Sequence, residues 1–236
     1  IMELYNNDCI EQMKELPDGR VDLIISDLPY KRLNKKWDIP INLADMWQQI
    51  WRVLIPNGAV CLFADMKFAV ELINSCPKHY KYEIAWHKTK STNPFMNCKR
   101  HGTSMEYILV FCKGNIRYNL SEHNVETETD GTEFKYESLT NAREKFKRRT
   151  FSPRLPLNFI KCNSVTKSAI AGITEKPQDV LKHLINYFSY PHETILDFCI
   201  GSGSTGIACK NLNRNYIGVD RNSNMIADAI KNISQR

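Results

Sequence analysis

Asp27-Leu28-Pro29-Tyr30 sets a carboxylate, a backbone carbonyl and an aromatic ring in a row, directly after the apolar run Val21-Asp22-Leu23-Ile24-Ile25-Ser26. A short β-branched run stopped by proline reads as a buried strand, and open α/β sheets hold ligands at the carboxyl ends of their strands. The grouping suits chemistry on an aromatic amine, a poor nucleophile whose lone pair is delocalised into its ring. Two acceptors on the amine hydrogens would localise that pair, and the Asp27 carboxylate and Leu28 carbonyl supply two. Pro29 excludes the helical region for Leu28 and so holds it extended. Tyr30 offers a stacking face for a base drawn out of a duplex, contributing about 1–3 kcal/mol against an unstacking cost of a few. The same residues also fit a turn that merely ends a strand.

A second segment has its own chemistry. Ile195-Leu196-Asp197-Phe198 leads into Cys199-Ile200-Gly201-Ser202-Gly203-Ser204-Thr205-Gly206, a strand, a tight loop and a helix start whose glycines fit the G-x-G-x-x-G spacing. Glycine lets the backbone approach a ligand, and free amides at a helix start favour negative charge. Asp220 closes the next strand, where the ribose hydroxyls of an adenosine cofactor would sit. Glycines alone would equally suit a structural turn; the strand, helix and acid around them favour the cofactor. A nicotinamide fingerprint normally opens its sheet, whereas here scarcely one helix follows Asp220. That order disfavours an ordinary dehydrogenase.

The elements that position these segments alternate strand and helix signals on both sides of a polar middle. Leu43 to Leu54 places Leu43, Met46, Trp47, Ile50, Trp51 and Leu54 at helical spacing, and Pro56-Asn57-Gly58 turns the chain into a strand at Ala59 to Phe63. Phe68 to Ser75 predicts a helix, and Tyr82 to Trp86 and Tyr107 to Phe111 predict strands. Pro177 suits a first helical turn, followed by the apolar face Val180, Leu181, Leu184, Ile185 and Phe188. A strand over Thr194 to Phe198, a helix from Thr205 to Asn213 and a strand over Tyr216 to Asp220 complete the pattern. From Asn115 to Ile173 periodicity fades: 122 to 137 is acidic, and 143 to 154 is basic with Phe146 and Phe151 interleaved. That stretch reads either as a solvated insertion or as a segment contacting DNA, with Arg143, Lys147, Arg148 and Arg149 on phosphates. Lys31, Arg32, Lys35 and Lys36 after the catalytic turn offer the same choice between phosphate contact and a solvated loop.

The chain has 236 residues and a net charge of +6, enough for one domain and compatible with nucleic acid without requiring it. No apolar run reaches the length of a membrane span and no secretory signal opens the chain, so a cytoplasmic protein is expected. Ile1 ahead of Met2 reads as a remnant before a natural start. The eight cysteines form no C-x-x-C pair and read as reduced, mostly buried thiols, and no zinc or other metal spacing is present. Trp47 and Trp51 lie on a helical apolar face and read as core, Trp37 sits in a polar loop, and His87 and His101 lack partner spacing and read as structural.

Taken together, the two segments resemble the amino-methylating DNA methyltransferases of the beta arrangement, in which the catalytic motif precedes the cofactor motif. Asp27-Leu28-Pro29-Tyr30 resembles the family's Asp-Pro-Pro-Tyr, with Leu28 in place of the first proline. Asp197-Phe198 through Gly203, with Ser204 and Thr205, resembles the loop that contacts the methionine portion of the cofactor. Thr174-Glu175-Lys176-Pro177 is similar to Thr-Gln-Lys-Pro, which helps to hold it. Asp8-Cys9-Ile10-Glu11 resembles the opening motif whose Asp faces the cofactor adenine, although Asn7 stands where glycine is usual. Gly172-Ile173 likewise replaces His-Pro ahead of Thr174, whereas Arg52-Val53-Leu54-Ile55-Pro56-Asn57-Gly58 is typical of the family.

The resemblance implies a Rossmann-like α/β fold with a mostly parallel seven-stranded sheet, helices on both faces and a circularly permuted motif order. It makes residues 1–236 one catalytic domain with a target-recognition insertion at about 115–173. It implies S-adenosyl-L-methionine as cofactor, double-stranded DNA as partner, a homodimer and no metal. The reaction implied is base flipping and in-line methyl transfer to the amino group of adenine, since Asp rather than Ser heads the motif. Transfer to the cytosine amino group, to RNA or to a protein glutamine would use similar chemistry. A degenerate DNA-binding subunit without activity is a further alternative that Leu28 leaves open.

Overall fold

The structure is a computed structural model that describes residues 1–29, 39–89, 101–121, 156–163 and 175–235. Its elements run β1 (Met2–Asn6), α1 (Cys9–Glu15), β2 (Val21–Asp27), α2 (Leu43–Val53), β3 (Leu54–Ala64), α3 (Met66–Ser75), β4 (Tyr80–His87) and β5 (Met105–Phe111). They continue with β6 (Phe159–Lys161), α4 (Gln178–Phe188), β7 (Thr194–Asp197), α5 (Ser204–Asn211), β8 (Asn215–Asp220) and α6 (Ser223–Gln235). Polar side chains start the first three helices: Asp8, Asn42 and Asp65 each accept from backbone amides of the following turn.

The strands join one sheet in the order β1-β8-β7-β2-β3-β5-β4-β6. Every pairing is parallel except those of β5 with β3 and β4. Along β2, Leu23, Ile24 and Ile25 are all shielded from solvent. Successive strand side chains point to opposite faces, so this demands cover on both. Ile24, Val60, Leu62 and Leu196 pack with Met13, Met46, Ile50 and Leu72 from α1, α2 and α3. Helices α4, α5 and α6 form a second set, in which α5 contacts both of its partners, and Tyr216 and Ile233 close over Gly206.

Eight strands are described where the resemblance implies seven. The additional strand, β6, arises inside the aperiodic 115–173 stretch. It pairs through its backbone with the edge of β4, Ala85 opposite Phe159, and a three-residue edge strand leaves no periodic trace. Pro56-Asn57-Gly58 does not precede the strand but bulges within it, because the β2 register jumps from Val21–Leu54 to Leu23–Ala59. Gly58 is needed there, since a Cβ would lie 2.7 Å from the Asp22 carbonyl oxygen. Pro177 is the N-cap of α4 rather than its first helical residue.

By packing along the chain there are two compact units, one of Ile1–Asn119 with Leu157–Arg236 and one of Leu120–Pro156. Trp47 and Trp86 are core, Trp86 being 1% exposed with its indole N–H donating to the Cys162 carbonyl at 3.0 Å, whereas Trp51 is half-buried and packs against the core, stacked on Trp47 at 5.5 Å. Trp37 lies outside the described residues, whereas His101 lies within them and is exposed. The seven described cysteines are free thiols, five of them buried. No described helix is long and apolar enough to cross a membrane.

Ile24 is fully buried between Leu196 and Val60 of the neighbouring strands. Ile24→Ala is expected to lower unfolding free energy by about 2–5 kcal/mol in a urea titration, through lost transfer energy and the cavity left behind. A loss under about 1 kcal/mol would contradict this packing.

Candidate active site

Strands β2 and β7 lie side by side and parallel, Leu23 opposite Ile195 and Ile24 opposite Leu196, so Asp27 and Asp197 emerge at the same sheet edge. In chain direction β7 leads outward to β8 and β2 to β3, which makes the gap between them a switch point of the kind where α/β sheets bind ligands. The cleft there encloses about 380 Å³ including open solvent and is lined by Ser26, Asp27, Phe63, Lys176, Asp197, Cys199, Ile200, Ser202, Ser204 and Thr205.

Asp197 anchors the glycine loop. The Ser26 hydroxyl, 171 residues away in sequence, donates to its Oδ1 at 2.9 Å, and the Cys199 amide donates to the same atom at 3.2 Å. Burial pushes the Asp197 carboxyl up to about 6, opposed by hydrogen bonds from Thr205, Cys199 and Ser26 and reinforced by the Asp27 charge. The loop then turns tightly, with the Gly203 amide donating to the Ile200 carbonyl at 2.9 Å. Gly201 and Gly203 have φ of 49° and 81°, the left-handed region that favours glycine. A Cβ on Gly203 would also sit 2.9 Å from that of Ala229. Gly203 caps α5 without a side-chain hydrogen bond, which leaves the first-turn amides of α5 available beside Ser204 and Thr205.

Asp27 has a different environment. Lys176 donates to its Oδ2 at 2.6 Å, while Oδ1 is buried without a hydrogen-bond partner among the described residues. The Lys176 ammonium also lies 4.9 Å from the centre of the Phe63 ring, and Phe63 is the register partner of Asp27 on β3. Leu28 is 3% exposed and packs in the core cluster, and Pro29 is half-buried.

Of the cofactor residues expected from sequence, Lys176, Asp197, Ser202, Ser204 and Thr205 line the cleft together with Asp27. Gly201 and Gly203 shape its loop. Phe198 is 1% exposed and belongs to the core, so its side chain offers the cleft nothing. Asp220 braces the loop from behind: its Oδ2 accepts from the Gly201 amide at 3.3 Å and its Oδ1 from the Asn222 amide at 2.8 Å. Burial raises its carboxyl above the ordinary value. Asp8 caps α1 and pairs with Arg221 at 2.5 Å, and Cys9 is buried against Cys199. Tyr30, Lys31, Arg32, Lys35, Lys36, Arg143, Lys147, Arg148 and Arg149 lie outside the described residues. Sequence reasoning missed Ser26 and Phe63, and it gave Cys199 and Ile200 only as part of the glycine loop. Extending the β2–β3 pairing to its carboxyl end would have found Phe63. Among the described residues no His, Cys, Asp and Glu cluster could hold a metal ion.

Residues 21–231 match a protein family, N6/N4 methyltransferases, described as DNA methylase. Type II methyltransferase M.HpaI of Haemophilus parainfluenzae is 26% identical over 241 residues, covering 94% of this chain and 71% of that protein. Among solved structures, the M1.HpyAVI–SAM complex is similar with a TM-score of 0.63 and 20% identity, covering 98% of each chain. The PvuII DNA methyltransferase (cytosine-N4-specific) has a TM-score of 0.71 at 12% identity, covering 97% of this chain and 85% of that one. The fold is therefore the Rossmann-like methyltransferase fold.

The Asp197 carboxyl yields a test by pH. The folded protein keeps its proton to about pH 6, whereas the ordinary value is 3.8, so between these values the folded state binds more protons. The contribution of this group to stability is therefore present at low pH and falls as pH rises through that window. Asp197→Asn keeps an acceptor for Ser26 and Cys199 but no titration. Its unfolding free energy should gain on wild type by up to about 3 kcal/mol between about pH 4 and 7. A difference that does not vary with pH would sink this assignment.

Proposed function

The chain belongs to the N6/N4 DNA methylase family, and we propose that it transfers a methyl group from S-adenosyl-L-methionine to the exocyclic amino group of adenine in double-stranded DNA. The observation that carries this reading is the placement of the Asp27 carboxylate on the same cleft as the Asp197 loop. A nucleophile-binding group and a cofactor loop from opposite ends of the chain thus share one space.

The cleft suits the cofactor on its own geometry. The left-handed glycines bring backbone close to a ligand, and the α5 amides with Ser204 and Thr205 can receive the carboxylate of its methionine portion. Asp197 stands where a cationic amine would stabilise its charged form. The bound cofactor supplies an electrophilic methyl group on a sulfonium. The protein's part is to present the nucleophile. A paired base hides its amino group, so the target must leave the duplex, and Tyr30 is assigned as its stacking face. Asp27 and the Leu28 carbonyl accept from the two amino hydrogens and turn the lone pair towards the methyl. As the new N–C bond forms, the bond from the methyl to the sulfonium sulfur would break, so the cofactor would leave as its neutral thioether, S-adenosyl-L-homocysteine, and the surplus proton would pass to water. Orientation and preorganised acceptors supply the rate, and one such acceptor is worth on the order of 10²–10³.

Asp at the head of the catalytic motif supports adenine. The likeness to a cytosine-N4-specific enzyme favours cytosine as the second reading. The residues from 115 to 173 are assigned to target recognition, with Arg143, Lys147, Arg148 and Arg149 on the phosphates.

Two experiments test the proposal. Incubation of unmethylated DNA with methyl-labelled cofactor should place label on the adenine amino group in nucleoside analysis, and Asp27→Ala should lose at least about 10² in rate. Label on cytosine would instead support the second reading, and equal rates for the two proteins would remove Asp27 from the chemistry. Replacing the four basic residues with alanine should weaken DNA binding and flatten its salt dependence, by about 0.9 in log–log slope for each phosphate deprived of its cation. An unchanged slope would place the DNA elsewhere.

A further inference from the structure

Lys176 matches a family segment that helps to hold the cofactor, yet its surroundings point to another task. Its Nζ lies 2.6 Å from Asp27 Oδ2 and 3.8 Å from Glu106 Oε2. The other Glu106 oxygen pairs with Lys88, whose side chain is 3% exposed and whose ammonium lies 4.7 Å from the Trp86 ring centre. Lys88, Glu106, Lys176 and Asp27 thus alternate in sign across the sheet edge. Strand topology builds the row. β5 runs antiparallel to β3 and β4, so its first residues lie at the edge where β2, β3 and β4 end, and Glu106 faces Trp86 in register. Three strands and the approach to α4 converge on one carboxylate.

A carboxylate on a single flexible side chain can turn either oxygen towards a ligand, and an ion pair at one oxygen fixes which is left. At Asp27 the remaining oxygen, Oδ1, is enclosed without a hydrogen-bond partner among the described residues. A buried acceptor without a donor is uncommon in native structures and calls for an explanation. We propose that Lys176 is a positioning residue of the reaction: it clamps Oδ2 of Asp27, leaving Oδ1 to accept from the amino group of the target base, and Glu106 holds Lys176 for that task. The role rests on the methyl-transfer reading of the site given above. It separates two jobs that the sequence merges, because a cofactor-holding lysine acts on cofactor affinity and a positioning lysine acts on turnover.

The test measures turnover by labelled methyl transfer and cofactor Kd by calorimetry, on wild type, Lys176→Met, Glu106→Gln, Asp27→Ala and the double variant Asp27→Ala/Lys176→Met. Lys176→Met should lower kcat by on the order of 10²-fold, the loss that follows from a misplaced reacting group, with cofactor Kd unchanged. Adding it to Asp27→Ala should cost no more, since the two residues act as one unit. Glu106→Gln should lower kcat less, again without moving Kd, and it carries the test alone if Lys176→Met fails to fold. A Lys176→Met protein that binds the cofactor weakly but turns over normally at saturation overturns the proposal. So does a full additional loss in the double variant, or a Glu106→Gln protein with wild-type kcat. A wild type that binds cofactor but transfers no methyl to DNA overturns the reading of the site, and the role of Lys176 with it.

Discussion

Two residue pairs, Leu23–Ile195 and Ile24–Leu196, hold β2 against β7, and the whole cleft depends on that short parallel pairing. It joins segments that lie about 170 residues apart along the chain, Leu23 to Ile195 and Ile24 to Leu196. The pairing is secured at both of its ends by polar bonds. At the start of the strands the Arg20 guanidinium donates to the Thr194 hydroxyl at 3.0 Å, and the Thr194 amide donates to Asp22 at 2.9 Å. At the cleft end Ser26 reaches Asp197. Both strands are buried on both faces, so a slip of one residue would exchange every side chain between the two helix layers. The register that places Asp27 beside the glycine loop is thus fixed by packing, well away from the chemistry.

The two carboxylates brought together there are kept different. Asp197 is almost wholly buried, accepts from a hydroxyl and an amide, and holds a proton to about pH 6. Asp27 is a third exposed on its side chain and is paired with a lysine. The Asp27 charge contributes to the rise at Asp197. Different surroundings let one acid shape the glycine loop while the other is paired with a cation in the cleft, and neighbouring acids in unlike surroundings can take separate roles.

How far the sequence could be read follows the range of each signal. The glycine loop and the strand end at Asp27-Leu28-Pro29 were legible because a strand, a turn and a special backbone residue lie close together along the chain. The helices α2, α3 and α4 and the central strands were legible from periodicity. Ser26, Phe63 and Glu106 were not, because their place depends on strand register, which no local pattern encodes. β6 escaped for the same reason. Asp8 and Asp220 show a further limit. Their residue types and positions were legible, but not the protein contacts they make, a helix cap and Arg221 for Asp8 and the Gly201 and Asn222 amides for Asp220. Residue type reveals the charge and the edge of the sheet; it does not reveal the partner.

Leu28 is the place where the sequence departs most from its family's motif, and burial explains how the turn can bear it. A proline there would restrict the backbone covalently. Leu28 instead has its side chain sealed in the cluster that contains Ile24, Met46 and Phe68. Fully burying a leucine side chain is worth about 1.5–3 kcal/mol, enough to hold one turn in place without a ring constraint. Pro29 still excludes the helical conformation for the residue before it. The carbonyl between them is therefore held from one side by packing and from the other by sterics. Because the role proposed for this position belongs to a backbone oxygen, the side chain is free to serve the core, and the substitution changes how the proposed acceptor is fixed without removing it.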